Sequence, residues 1–325
     1  MPNSQSSAPQ TITTARALGV SLLDRIGNTP LLALPRLTAH LPGVQILGKV
    51  EWVNPGGSIK DRAAASIVLD AEKRGLIQFH RRSGRALLDA TSGNTGIAYA
   101  MLGAALGFPV TLCVPSNVSE ERKNILAAYG AHVLWTDPAD GSDGAISKAR
   151  TIIDAEPDRY FYADQYGNPQ NWKAHYRTTA NEIWKQTEGQ ITHFVAGLGT
   201  SGTFMGTTRR LKQLNPAIQC ISMQPDSPFN GFEGLKYMAT AIVPAIYDAT
   251  LPDANIFMET ERAYDMARAL GRQDGLLVGV SAAGAVATAL QIAQQEAKAG
   301  REAVIVTILA DSADKYLSER FWREG

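Results

Sequence analysis

From Val44 to Leu309 short apolar runs alternate with longer segments of helical periodicity, and this alternation constrains the fold more than any other feature of the chain. VQILGKV (44–50), ALLDA (86–90), PVTLCVP (109–115), AHVLW (131–135), HFVAG (193–197), QCISM (219–223) and AVIVTIL (303–309) read as strands. Helical patterns fill Ser58–Arg74, Asn94–Gly107, Glu120–Tyr129, Gly141–Glu156, Asn171–Trp184, Thr203–Leu214 and Ala283–Ala299. Strands covered on both faces read as unbroken apolar runs, and helical crossovers join parallel neighbours. The expectation is an α/β protein of two domains, each a twisted, mainly parallel sheet flanked by helices. The turn QYGNP at 165–169 separates two βα sets. Residues 54–165 are expected to form a small mobile domain and 21–53 with 166–325 a larger one, while 1–20 read as a flexible polar tail without the apolar centre of a secretory signal.

The 31 basic and 31 acidic residues balance, so no charge surplus points to nucleic acid or an anionic membrane. Two uncharged stretches, Gly96–Val114 and Gly275–Gln295, approach the ~20 residues of a membrane span. Both are rich in Gly, Ala, Ser and Thr, and Pro109 interrupts the first, so buried elements of an α/β core are expected instead. Cys113 and Cys220 lie in strand-like runs and read as buried free thiols of a cytoplasmic protein. The five histidines show no metal-ligand spacing, and no metal is expected.

Four segments carry the chemistry. NPGGSIKDRAAA (54–65) places Lys60 inside the start of a helix that continues into small apolar residues, a setting that a surface lysine does not need. DATSGNTGIAYA (89–100) gathers Thr91, Ser92, Asn94 and Thr95 at a helix start, as a carboxylate nest or as a capping turn. VAGLGTSGTFMG (195–206) holds Gly197, Gly199 and Gly202 between a strand and a helix. It reads as a dinucleotide site, as a cradle for one phosphate with hydroxyls from Thr200, Ser201 and Thr203, or as a tight βα turn. The dinucleotide reading wants an acidic residue closing the next strand, which here ends in Gln224 and Pro225 with Asp226 beyond. GVSAAGAVATAL (279–290) sets Ser281 at a strand-to-helix turn, where Ala283 rules out a hydrolase elbow. A lysine, a carboxylate nest, a phosphate cradle and a buried serine together match the needs of pyridoxal 5′-phosphate.

GNTPLL, NPGGSIKDR, TSGNTGIA, QYGNPQN, THFVAGLGTSGTFMG, GVSAAGAV and DKYLS, spread from about Leu22 to Phe321, resemble in content and order the fold-type II pyridoxal-phosphate enzymes, in particular the B-type cysteine synthases (O-acetylserine sulfhydrylases). The resemblance implies that Lys60 is the Schiff-base lysine and the base, and that Asn94 bonds the cofactor's ring hydroxyl. It also implies that Thr91, Ser92, Thr95 and Gln165 hold the substrate carboxylate, that Gly199, Thr200, Ser201, Gly202 and Thr203 hold the phosphate, and that Ser281 faces the pyridine nitrogen. The implied reaction is a ping-pong β-replacement, from O-acetyl-L-serine through an α-aminoacrylate to L-cysteine, with sulfide or a sulfur carrier as donor and a homodimer as the working form.

The tail ADSADKYLS and the sequence Ser281-Ala282-Ala283 depart from the commoner family patterns, which touches the isozyme and substrate assignment. Lys236, in PDSPFNGFEGLKYM (225–238), reads either as a solvated lysine beside Glu233 or as a cation for a phosphate leaving group. The alternatives are an O-phosphoserine-dependent cysteine synthase, a cystathionine β-synthase-like enzyme and, from the glycine loop alone, an NAD-dependent oxidoreductase.

Overall fold

Residues 20–81 and 84–323 are described by the structure, a computed structural model. Along the first half run β1 (Leu31–Ala33), α1 (Pro35–Thr38), β2 (Val44–Val50), α2 (Lys60–Lys73), β3 (Ala86–Ala90), α3 (Asn94–Leu106), β4 (Val110–Pro115), α4 (Glu120–Ala128), β5 (His132–Thr136), α5 (Gly141–Ala155) and β6 (Tyr160–Tyr162). The second half continues with α6 (Pro169–Arg177), α7 (Thr179–Gln186), β7 (His193–Gly197), α8 (Gly202–Leu214), β8 (Gln219–Pro225), β9 (Ala254–Met258), α9 (Thr260–Ala269), α10 (Val280–Lys298) and β10 (Ala303–Leu309). The tail expected over 1–20 lies, as far as residue 19, outside the described residues.

The strands form two sheets, one in the order β1-β2-β10-β7-β8-β9 and one in the order β5-β4-β3-β6. All pairings are parallel except β1 with β2. The period of two along each strand sends alternate residues to opposite cores. In β10, Ile305 and Leu309 pack with residues of α9 and α10, while Val306 and Ile308 pack with residues of α8 on the other face. In the smaller sheet Leu87 and Leu112 meet α2 and α3, whereas Leu88 and Cys113 meet α5. Helices on both faces explain the near-continuous apolar runs, each buried Val, Leu or Ile contributing about 1.5–3 kcal/mol. Cys113 and Cys220 are unpaired and fully buried, and burial pushes their thiols up to about 11 and about 12. Among the described residues no helix is long and apolar enough to cross a membrane, and the two uncharged stretches supply α3, β4 and α10.

Three expected helices differ in extent from the sequence reading, and β1, α1, β6, β9 and α9 are elements that it did not name. The single helix expected over Asn171–Trp184 is two, α6 and α7. They part at Thr178, whose backbone angles (φ −118°, ψ −74°) depart well from ideal helical values while its Oγ1 donates to the Ala174 carbonyl at 2.8 Å. Helix α10 begins at Val280 rather than Ala283, so Ser281 lies within its first turn. Helix α2 begins at Lys60 rather than Ser58, so this lysine opens the helix.

β2, α2 and α7 are joined by a buried ion network. Arg62 meets Glu51 at 2.8 Å and Glu182 at 2.6 Å, and Lys49 meets Glu182 at 2.7 Å. Thr29 and Asn54 donate to the Glu51 carboxylate as well.

Candidate active site

The carboxyl ends of β3, β7 and β10 face one cleft of ≈ 960 Å³, mouth included, lined from both sheets. Ligands of open α/β folds sit at such strand ends. The starts of α2, α3, α8 and α10 supply Lys60, Asn94, Thr203 and Ser281 to its wall. Each helix start brings backbone N–H groups without intrahelical acceptors and the positive end of a dipole. The cleft is therefore built for anions.

Lys60 is half-buried, and its backbone N–H is bound to Ser58 Oγ at 3.2 Å. The backbone N–H of Ile59 donates to Ala310 beyond β10 at 2.9 Å. Burial pulls the Lys60 ammonium down from its ordinary range, and the negative charge of Asp311 works against that pull. The neutral amine is thus favoured more than it is in water, as proton transfer at this nitrogen requires.

In the loop before α3, the hydroxyl of Thr91 accepts from the N–H groups of Gly93 and Gly96, both at 3.1 Å. Thr95 Oγ1 donates to Gln165 Oε1 at 2.7 Å, and Gln165 Nε2 donates to the Ala90 carbonyl at 2.6 Å. Thr91, Ser92, Thr95 and Gln165 are thus together, with Thr95 and Gln165 bonded to each other. Asn94 Nδ2 donates to Asp311 Oδ2 at 2.7 Å, while Asn94 Oδ1 is buried without a partner.

Gly199, Thr200, Ser201 and Thr203 line the cleft on its other side. Gly202 sits behind them, against Asn171. A Cβ on Gly199 would collide with the Gly234 carbonyl, and one on Gly202 with Asn171 Oδ1, which fixes glycine at both positions. Ser201 takes a left-handed backbone (φ 66°) at the N-cap of α8, and its Oγ is buried without a partner. Thr200 Oγ1 accepts from Asn171 Nδ2 at 3.0 Å. Thr203 Oγ1 lies 3.3 Å from Nε2 of His175, a buried imidazole held well below its usual range, mainly by burial and then by the positive charges of Arg62 and Lys60. An orphan hydroxyl, a helix start and glycines admitting no side chain fit a phosphate, and the Asn94 Oδ1 orphan fits a hydroxyl donor.

Lys236 lines the cleft but is not solvated and does not pair with Glu233. It is buried, donates to Asp143 Oδ1 at 2.5 Å and lies 5.0 Å from the centre of the Tyr166 ring. Glu233 pairs instead with Arg122, whose guanidinium lies 4.7 Å from the Tyr316 ring centre. Sequence reasoning missed Asp311, Arg122, Tyr316, Asn171 and His175. Asp311 left a trace, since it stands in the tail that departs from the family pattern. Arg122 is masked by the charged run SEERK, whose glutamates read simply as helix-start residues.

Residues 22–311 match the family described as pyridoxal-phosphate dependent enzyme. The chain belongs to that family. Its cofactor is accordingly pyridoxal phosphate, and the dinucleotide reading of the glycine loop falls away. A cysteine synthase of Aquifex aeolicus is 53% identical over 92% of this chain and 90% of that protein. Cysteine synthase B of Pseudomonas aeruginosa is 41% identical over 92% of this chain and 96% of that protein. The crystal structure of a cysteine synthase from Entamoeba histolytica superposes with a TM-score of 0.86 at 33% identity, over 99% of this chain and 95% of that one.

Proposed function

We propose that this chain makes L-cysteine by β-replacement, with O-acetyl-L-serine as amino-acid substrate and sulfide or a sulfur carrier as donor. The observation that carries the reading is the meeting, in one cleft, of the Lys60 amine with two separate anion-binding helix starts. When bound, pyridoxal phosphate supplies an electron sink for the substrate's Cα. Lys60 would anchor that cofactor, and its Nζ would take the Cα proton and later return it. Thr91, Ser92, Thr95 and Gln165 grip the substrate carboxylate beside the positive end of α3, which requires Thr95 and Gln165 to give up their mutual bond. Gly199, Thr200, Ser201, Gly202 and Thr203 would hold the phosphate, Asn94 would take the ring hydroxyl on its unpartnered Oδ1, and Ser281 would serve the pyridine nitrogen. A serine hydroxyl would bring no fixed negative charge to that nitrogen.

Residues 54–165 close as a small domain against 21–53 and 166–325, keeping water from the reacting carbon. The Arg122–Glu233 and Lys236–Asp143 pairs and the Asn94–Asp311 hydrogen bond join the two across the cleft and favour the closed arrangement. The working form is a cytoplasmic homodimer acting on small molecules, without nucleic acid or membrane; the buried free thiols suit a reducing compartment. Borohydride reduction of the cofactor-loaded protein, followed by peptide mapping, is expected to place the label on Lys60. A label on another amine, or on none, overturns the reading.

Lys236 at the cleft wall favours a second reading, in which O-phosphoserine is the substrate and this ammonium meets the phosphate leaving group. Asp143 already neutralises it, so a phosphate would have to displace a carboxylate. Lys236→Ala is therefore expected to slow O-acetylserine and O-phosphoserine turnover by the same factor. A loss confined to O-phosphoserine would establish the second reading instead.

A further inference from the structure

Asn171 stands in the first turn of α6 and is 2% exposed. Its Nδ2 donates to the Gln165 carbonyl at 2.7 Å and to Thr200 Oγ1 at 3.0 Å. A primary amide has two N–H bonds, and here one goes to each side of the cleft. Its Oδ1 lies under Gly202 so closely that no side chain fits there. The residue is itself held firmly, because Asn168 caps α6 through the Gln170 N–H at 3.0 Å and donates to the Ala163 carbonyl at 2.9 Å. Through the Gln165 side chain the chain of contacts runs on to Thr95 at the start of α3. One buried amide thus connects the two anion-binding helix starts.

We propose that Asn171 is a positioning residue that ties the phosphate cradle to the carboxylate loop, so that seating the cofactor also sets the geometry for the amino acid. The proposal rests on the site reading above. Neither ligand touches Asn171. It acts on the phosphate through Thr200 and Gly202, and on the carboxylate through Gln165 and Thr95.

The test uses the full chain and two binding measurements. Cofactor affinity is read by titrating the resolved protein with pyridoxal 5′-phosphate and following tryptophan fluorescence. Amino-acid affinity is read at saturating cofactor from the change in its visible absorbance on titration with L-alanine, which has no leaving group. Asn171→Ala is expected to weaken both by roughly five- to tenfold, the scale of one buried hydrogen bond on each side. Thr200→Val is expected to weaken the cofactor alone, and Thr95→Val the amino acid alone. Asn171→Asp keeps volume and Oδ1 but can donate to neither loop, and it is expected to reproduce the double loss with unchanged helix content. It decides the matter if the alanine variant does not fold. A general packing role would lower the melting temperature without moving the L-alanine titration at saturating cofactor, and that result overturns the proposal, as does a loss confined to the cofactor. Failure of the unsubstituted protein to take up pyridoxal phosphate would instead tell against the site reading itself.

Discussion

Lys60→Ala is expected to lower turnover by about 10²- to 10⁴-fold, the range for loss of a positioned proton-transfer group, while the protein keeps its fold and still binds pyridoxal phosphate. Three features set this expectation. Alanine is the strongest helix former, so removing the side chain at the first position of α2 does not disturb the helix. The phosphate loop is built by α8, β7 and Asn171, none of which depends on the lysine. No other amine takes its place, because Lys236 is engaged with Asp143 and Lys315 donates to the Gly57 carbonyl at 2.9 Å. The measurement is kcat beside cofactor content, and an active alanine variant would sink the assignment.

The pH profile gives a second reading of the same residue. Burial lowers the Lys60 pKa, and the nearby Asp311 carboxylate raises it. A base must be unprotonated, so activity falls on the acid side as this amine takes up its proton. Asp311→Asn removes the charge that raises the pKa while retaining most of the shape. The amine then loses its proton at lower pH, and the acid limb moves to more acidic values. A limb that stays in place would mean that another group titrates there.

The sheets were legible because burial on both faces writes itself into sequence as unbroken apolar runs, as in VQILGKV and AVIVTIL. Strands β1 and β6 hold only three residues each, too few for a period to register. Strand β9 closes one edge of the larger sheet and carries Phe257 at 54% exposure, so its pattern is not that of a buried strand. The site residues were legible where small donors cluster at helix starts, which is a local signal. Asp311 and Arg122 act through distant partners, Asp311 reaching Asn94 across 217 positions and Arg122 reaching Glu233 across 111, and Asn171 bonds Thr200 across 29. No local pattern encodes such pairs. The carboxylate loop adds a further lesson. Its small polar side chains at a helix start were read from the sequence, but not that Thr95 and Gln165 would satisfy one another.

The same distance hides the ion network that joins β2, α2 and α7. Arg62→Ala is expected to destabilise the protein by about 3–5 kcal/mol, since it leaves the buried Glu51 carboxylate without its paired cation and Glu182 with Lys49 alone. Glu51 is wholly buried and the Glu182 side chain 13% exposed, so water cannot take over the guanidinium's hydrogen bonds to Glu51. Against a total stability of ~5–15 kcal/mol such a loss is large. Burial by itself would raise the Glu182 carboxyl, but its hydrogen bond to Arg62, the charge of Arg62 and the contacts with Lys49 outweigh burial and bring it down to about 2 from an ordinary 4.5. A depressed carboxyl stabilises the fold above its unfolded pKa, and that contribution drains away as pH falls from about 4.5 through about 2. Removing Arg62 removes most of the depression, so the variant has less to lose over this window. Urea unfolding of both proteins should therefore show a wide gap at pH 7 that narrows steadily below pH 4.5. A gap independent of pH would assign the loss to the missing packing of the arginine stem. The network would then hold β2, α2 and α7 together by shape rather than by charge.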